Sequence, residues 1–189
     1  MAEDLCAEDR RQLLDVARQV IASALGVAPV QAQTATASPT LSEKRGAFVT
    51  LTRRVDGELR GCIGYVEPLF PLVETVSRAA MAAALHDHRF TPVARGELAE
   101  LAIEISVLSV PRPIRPEDVV VGTHGLILRV GDRSGLLLPQ VASDHGWDAE
   151  TFLDHTCLKA RLPPGAWRQP EAELLGFTAT VFSEASQRN

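Results

Sequence analysis

The order hairpin, proline, helix, strand occurs twice along this chain, at about residues 47–109 and 124–183, and this recurrence limits the fold more than any other feature. In the first passage "AFVTL" and "ELRGCIGYV" are β-type runs flanking "RRVDG", whose Asp56-Gly57 pair suits a tight turn. "EPLFP" ends the second run. "LVETVSRAAMAAAL" then sets Leu72, Val73, Val76, Ala80, Ala83 and Ala84 along one helical face, and its alanines allow close packing on a sheet. "ELAIEISVL" alternates Leu101, Ile103, Ile105 and Val107 against smaller or polar residues, as a half-buried strand does. In the second passage "HGLILRV" and "SGLLLPQV" flank "GDR", "WDAETFLDHTCLKARL" is a helix with Asp148 as its N-cap, and "ELLGFTATVF" is a last strand. The order of elements matches while the residues barely do. The expected fold is α+β: two similar lobes of mixed or antiparallel sheet with packed helices.

An amphipathic helix from about Glu8 to Leu25 precedes these passages, stopped by Gly26. A surface connection rich in Ala, Thr, Gln, Ser and Pro is expected over about 27–45, and "PRPIRP" makes 110–117 the expected seam between lobes of one domain spanning 1–189. The acidic "MAEDLCAEDRR" is unlike a signal peptide, and no apolar run is long enough for a membrane span, so a cytoplasmic protein is expected. Cys6, Cys62 and Cys157 are few and far apart, and imply no disulfide framework. A net charge of −5 opposes general attraction to nucleic acid, and "RRVDGELR" (Arg53, Arg54, Arg60) is the one dense basic segment. No dinucleotide, P-loop or zinc-ligand spacing occurs, so neither a cofactor nor a metal is expected.

The segment with the most chemistry is "LRGCIG", Leu59 to Gly64. Residues two apart in a strand share a face, so Glu58, Arg60, Cys62 and Gly64 are expected to point one way and Leu59, Gly61 and Ile63 into the core. A cation beside a thiol favours thiolate, and Gly61 and Gly64 remove side chains next to the sulfur, so that a ligand or another backbone can approach. The residues alone leave two readings open: Cys62 as a reactive thiol, or Cys62 as a small apolar residue in a packed strand. His86 and His88, which bracket Asp87 after a helix, could supply a base, or simply cap the helix end. Gln140, Ser143, Asp144 and His145 form a second polar cluster after a strand.

Taken together, "GAFVTL", "ELRGCIGYVEP", "DHRFTPV", "ELAIEISVLS", "GTHGLIL", "GLLLPQVA", "GWDAETFLDHTCLKA" and "LPPGAW" resemble, in that order and from about Ser42 to Glu184, the AMMECR-one family. Its bacterial and archaeal members are called AmmeMemoRadiSam system protein A. The resemblance implies a two-lobed α+β fold and a hallmark LRGCIG segment, but no established reaction. It also implies a Memo-like protein and a radical S-adenosylmethionine protein as associates. A ligand or substrate cleft is expected beside Cys62 as nucleophile or redox thiol, with Arg60, Gly61, Gly64, Gln140 and Ser143 as ligand-binding candidates. The alternative is a non-catalytic binding subunit. Two residues depart from the family pattern: His88 stands where proline is usual, and Arg161 where glycine is usual.

Overall fold

A computed structural model describes residues 5–28 and 38–184. Along the chain run α1 (Ala7–Ala24), α2 (Pro39–Ser42), β1 (Ala47–Arg53), β2 (Leu59–Tyr65), α3 (Leu72–Leu85) and β3 (Leu101–Leu108). There follow β4 (Arg112–Pro113), β5 (Gly125–Val130), β6 (Arg133–Leu137), α4 (Pro139–Asp144), α5 (Ala149–Lys159), β7 (Glu173–Phe177) and β8 (Ala179–Ser183). Two compact units result: of the described residues, one holds those up to Leu108 and from Thr180 to Glu184, the other holds Ser109–Ala179. Much of the expected surface connection, residues 29–37, lies outside the described residues; its far end forms α2, where Leu41 is fully buried.

Each unit contains one four-stranded sheet, in the order β2-β1-β3-β8 in the first and β4-β7-β5-β6 in the second. The recurrence seen in the sequence is a recurrence of topology. In the first unit the hairpin β1–β2 is followed by α3, after which β3 returns antiparallel beside β1; in the second, β5–β6 is followed by α5, and β7 returns antiparallel beside β5. Helices α1 and α3 cover one face of the first sheet, burying Val49, Leu51, Ile103 and Ile105 against Val76, Ala79, Ala80 and Ala83. In the second unit α5 buries Phe152, Leu153 and Cys157 against Leu126 and Leu128.

The same device brings helix and hairpin together in both units. A Cβ on Gly61 of β2 would fall on the carbonyl oxygen of Ala83 in α3, and one on Gly135 of β6 would lie 2.6 Å from the carbonyl oxygen of Thr156 in α5. Gly61 stands opposite Leu51 and Gly135 opposite Leu128, the same place in each hairpin. Glycine at these points lets the helix backbone rest on the strand.

Three local expectations change. The run "ELLGFTATVF" is two strands, because the pattern breaks at Thr178: β7 joins the second sheet and β8 the first. Pro139 begins the short helix α4 instead of closing β6, as suits a residue with fixed φ and no N–H to give a ladder. The pairing of β2 with β1 skips Arg60, running from Leu51↔Gly61 to Thr52↔Leu59, so a β-bulge turns Leu59 out of the core to 41% exposure.

Arg161 follows α5 with φ of 59°, the one non-glycine residue at positive φ among the described residues. Its N–H is bonded to the Leu158 carbonyl and its own carbonyl accepts from the Arg133 guanidinium, contacts a glycine backbone would keep. Arg161→Gly is therefore expected to raise stability by about 0.5–1 kcal/mol, relief of left-handed strain outweighing glycine's chain entropy. Urea unfolding measures this; a lower midpoint for the variant would overturn it.

Candidate functional site

The face of the first sheet opposite its helices carries the polar residues. Register places Cys62 of β2 opposite Thr50 of β1, and Thr50 opposite Glu104 of β3, so the three form one row across adjacent strands. The next row is Gly64, Phe48 and Ser106. Thr50 donates its hydroxyl to Cys62 Sγ at 3.3 Å, and Cys62 is half-buried. Glu104 is exposed.

Because β2 is an edge strand, Cys62 has a backbone N–H and C=O that no neighbouring strand takes up. The turn after α3 supplies both partners: Asp87 Oδ2 accepts from the Cys62 N–H at 2.9 Å, and Arg89 Nη2 donates to the Cys62 carbonyl at 3.1 Å. Asp87 and Arg89 also pair with each other, through Nε at 2.9 Å and Nη2 at 2.7 Å. The Asp87 side chain is 1% exposed and that of Arg89 46%. The hydrogen bond from Arg89 holds the Asp87 carboxyl well below the usual carboxylate range against the opposing effect of burial, and the Cys62 N–H adds to it. The same pairing raises Arg89, and Cys62 contributes to that rise. The cation bonded at Cys62 is thus Arg89, through that residue's backbone carbonyl.

Arg60 is occupied elsewhere. Its Nε and Nη2 bind Glu97 at 2.9 and 3.1 Å, its Nη1 donates to the Thr91 carbonyl, and its side chain is 12% exposed. The bulge makes Arg60 the unpaired extra residue of β2, which frees it to reach this loop. Gly61 meets Ala83, as described above, and the Phe48 ring fills the space a side chain on Gly64 would need. His86 and His88 are both exposed, and the carboxylate between them serves β2. Gln140 and Ser143 are exposed on α4 of the second unit, where Ser143 Oγ lies beside Gly122.

The basic segment is neutralised within itself or by neighbours: Arg53 pairs with Asp56 and Glu58, Arg54 with Glu184, and Arg60 with Glu97. Cys6 is exposed and caps α1, its Sγ accepting from the Asp9 N–H at 3.4 Å. Cys157 is fully buried, and that burial pushes its thiol up. Among the described residues no group of three or more His, Cys, Asp or Glu could hold a metal ion, and no helix is long and apolar enough to cross a membrane.

The sequence drew attention to "HDHRF" through its histidines; Asp87 and Arg89 carry the contacts instead. The signal was present, since an aspartate two residues before an arginine can bind that residue's backbone N–H, as Asp87 Oδ1 does at 3.2 Å.

Comparison with known proteins agrees with this architecture. A crystal structure of an uncharacterized protein from Pyrococcus horikoshii is similar, with a TM-score of 0.79 and 42% identity over 92% of this chain and 90% of that one. A Methanopyrus kandleri protein is 44% identical over 97% of this chain and 92% of its own length. One from Thermococcus kodakarensis is 47% identical over 78% and 77% respectively. The AMMECR1 family model matches residues 14–182, and the chain is a member of the AMMECR1 family.

Proposed function

We propose that this protein binds a small molecule on the helix-free face of its first sheet, with Cys62 as the nucleophile or redox thiol. The observation that carries this reading is the placement of the sulfur. It is half-buried and hydrogen-bonded by Thr50, and the Arg89 guanidinium fixes β2 at that residue by its bond to the Cys62 carbonyl. Thiols used in chemistry sit in partly exposed, electropositive surroundings, whereas structural ones resemble Cys157. Gln140 and Ser143 remain ligand-binding candidates of the second unit by itself.

The test is alkylation of folded protein by iodoacetamide in a Cys6→Ser background, where serine keeps the helix cap. Mass spectrometry should find Cys62 modified at native stability and Cys157 untouched. A Cys62 that reacts only when the protein unfolds would overturn the reading.

A second reading is a non-catalytic subunit of an AmmeMemoRadiSam system, acting with a Memo-like protein and a radical S-adenosylmethionine protein. It is favoured by Leu69, 53% exposed in the loop after β2, next to Phe70, whose ring meets Tyr65 edge-on and carries Arg78 at 4.3 Å. Capture of a Memo-like protein by Cys62→Ser but not by Leu69→Asp would replace the thiol reading with this one.

A further inference from the structure

We infer that the ligand of the Cys62 face is dipolar, with a cationic group such as a protonated amine at Glu104 and an anionic group at Arg89. This rests on the thiol-site reading above and names the class of molecule that site takes.

The fold itself does not call for the polar row. The second unit has the same hairpin, the same glycine against its helix and the same returning strand, and there the equivalent row is Leu136, Ile127 and Leu175. Ile127 and Leu175 are 4% and 7% exposed. One topology thus carries three apolar residues at these positions in one unit, and a thiol, a hydroxyl and a carboxylate in the other. What distinguishes Cys62–Thr50–Glu104 is its chemistry.

One end of the row carries a carboxylate, and the other a guanidinium paired with Asp87 on one side only. Glu104 is exposed and enters no hydrogen bond or ion pair with a described residue. At the other end Asp87 is buried beneath Arg89, so the ion pair turns its guanidinium outward, and the Nη1 group makes no hydrogen bond among the described residues. The remaining carboxylate near Glu104 along the strand, Glu184, is taken up by Arg18, Arg54 and the Ile103 N–H. Adjacent strands lie about 4.8 Å apart, so Cys62 and Glu104 are separated by about 10 Å, the length of an extended tripeptide-sized molecule lying across Thr50. Such a ligand would reach the carboxylate and the guanidinium with its two charges and the thiol with the atoms between them.

Methanethiosulfonate reagents report the charges that Cys62 experiences. The sulfur, its proton lost to solvent, attacks the sulfenyl sulfur of the reagent; an S–S bond forms and methanesulfinate leaves with the bonding pair. In the Cys6→Ser background, rates are measured with a trimethylammonium reagent, a sulfonate reagent and the neutral methyl reagent. Glu104→Gln should lower the cation-to-neutral rate ratio about threefold at low salt, the size expected for one charge about 10 Å away, and raised ionic strength should shrink the effect. Arg89→Gln should lower the sulfonate-to-neutral ratio. Glu104 is exposed, so its variant will fold even if that of Arg89 does not. Modification by the neutral reagent with a ratio unmoved by Glu104→Gln would overturn the dipolar ligand alone. Failure of the neutral reagent to reach Cys62 would overturn the thiol site itself.

Discussion

Gly61→Ala is expected to destabilise the protein by about 3 kcal/mol, at the upper end for adding one methyl group to a packed interior. The methyl has nowhere to go. It would overlap the Ala83 carbonyl oxygen, and the Ala83 carbonyl carbon lies only 3.1 Å away. Both are backbone atoms of a helix, so no rotamer change relieves the contact; α3 must lift from β2 instead. That helix contributes Val76, Ala79, Ala80 and Ala83, all at most 1% exposed, so lifting it loosens the centre of the core. Gly57→Ala is a useful contrast: nothing lies within 4 Å of a Cβ there, and its φ of 74° alone sets the cost, about 1 kcal/mol. Equal midpoints for the two variants in urea would show that the helix is free to move and that the close approach is not what requires glycine.

The repeated topology was legible in the sequence because each of its steps is a local pattern. Alternation marks β3, and β-type runs flanking turn residues mark β1 and β5; three-to-four spacing marks α1 and α3; Asp148 caps α5 as expected, its Oδ1 accepting from the Thr151 N–H at 2.8 Å. The division of "ELLGFTATVF" between two sheets was not legible, since both halves have the same strand composition and which sheet each joins is settled by pairing with residues far away in the chain. Thr178, at the break, is tied to Ser109 by two hydrogen bonds across 69 positions: its N–H donates to Ser109 Oγ, and its carbonyl accepts from the Ser109 N–H.

For the candidate site, the facing of Cys62 was legible in the sequence and its charged neighbours were not. Period-two alternation puts Cys62 on the face away from Gly61 and the helix, as observed. The same alternation fails one residue earlier, because a bulge adds a residue without leaving any mark in composition. Hence Leu59 is turned outward and Arg60 goes to Glu97. Arg89 was hidden for a different reason: it acts on Cys62 through the open edge of β2, across 27 positions, a relation that exists only once the turn after α3 has folded back on the sheet.

Removing Asp87 is the other large effect expected, because one carboxylate answers both the edge strand and the arginine. Asp87→Ala leaves the Cys62 N–H without its acceptor and Arg89 without its anchor, and the loss of these charge-assisted bonds should cost about 3 kcal/mol. Reactivity should change with stability: once Arg89 is released, Arg89→Gln should lower the sulfonate-to-neutral ratio at Cys62 less in the Asp87→Ala background than in the wild type, even under conditions where the variants are fully folded. Acid gives an independent check. The folded-state pKa of Asp87 lies below its ordinary value of 3.8, so the stability it contributes is complete above that value and is lost as the pH falls through it toward the folded-state value. The gap between wild type and Asp87→Asn, measured by urea unfolding, should therefore be constant from pH 7 down to about 5 and narrow below about pH 4. A gap that stays constant into the acid range would mean that the carboxylate is no better bound in the folded protein than in the unfolded chain, and Asp87 would then be an uncharged spacer under β2 and not the group that holds Arg89 at the thiol.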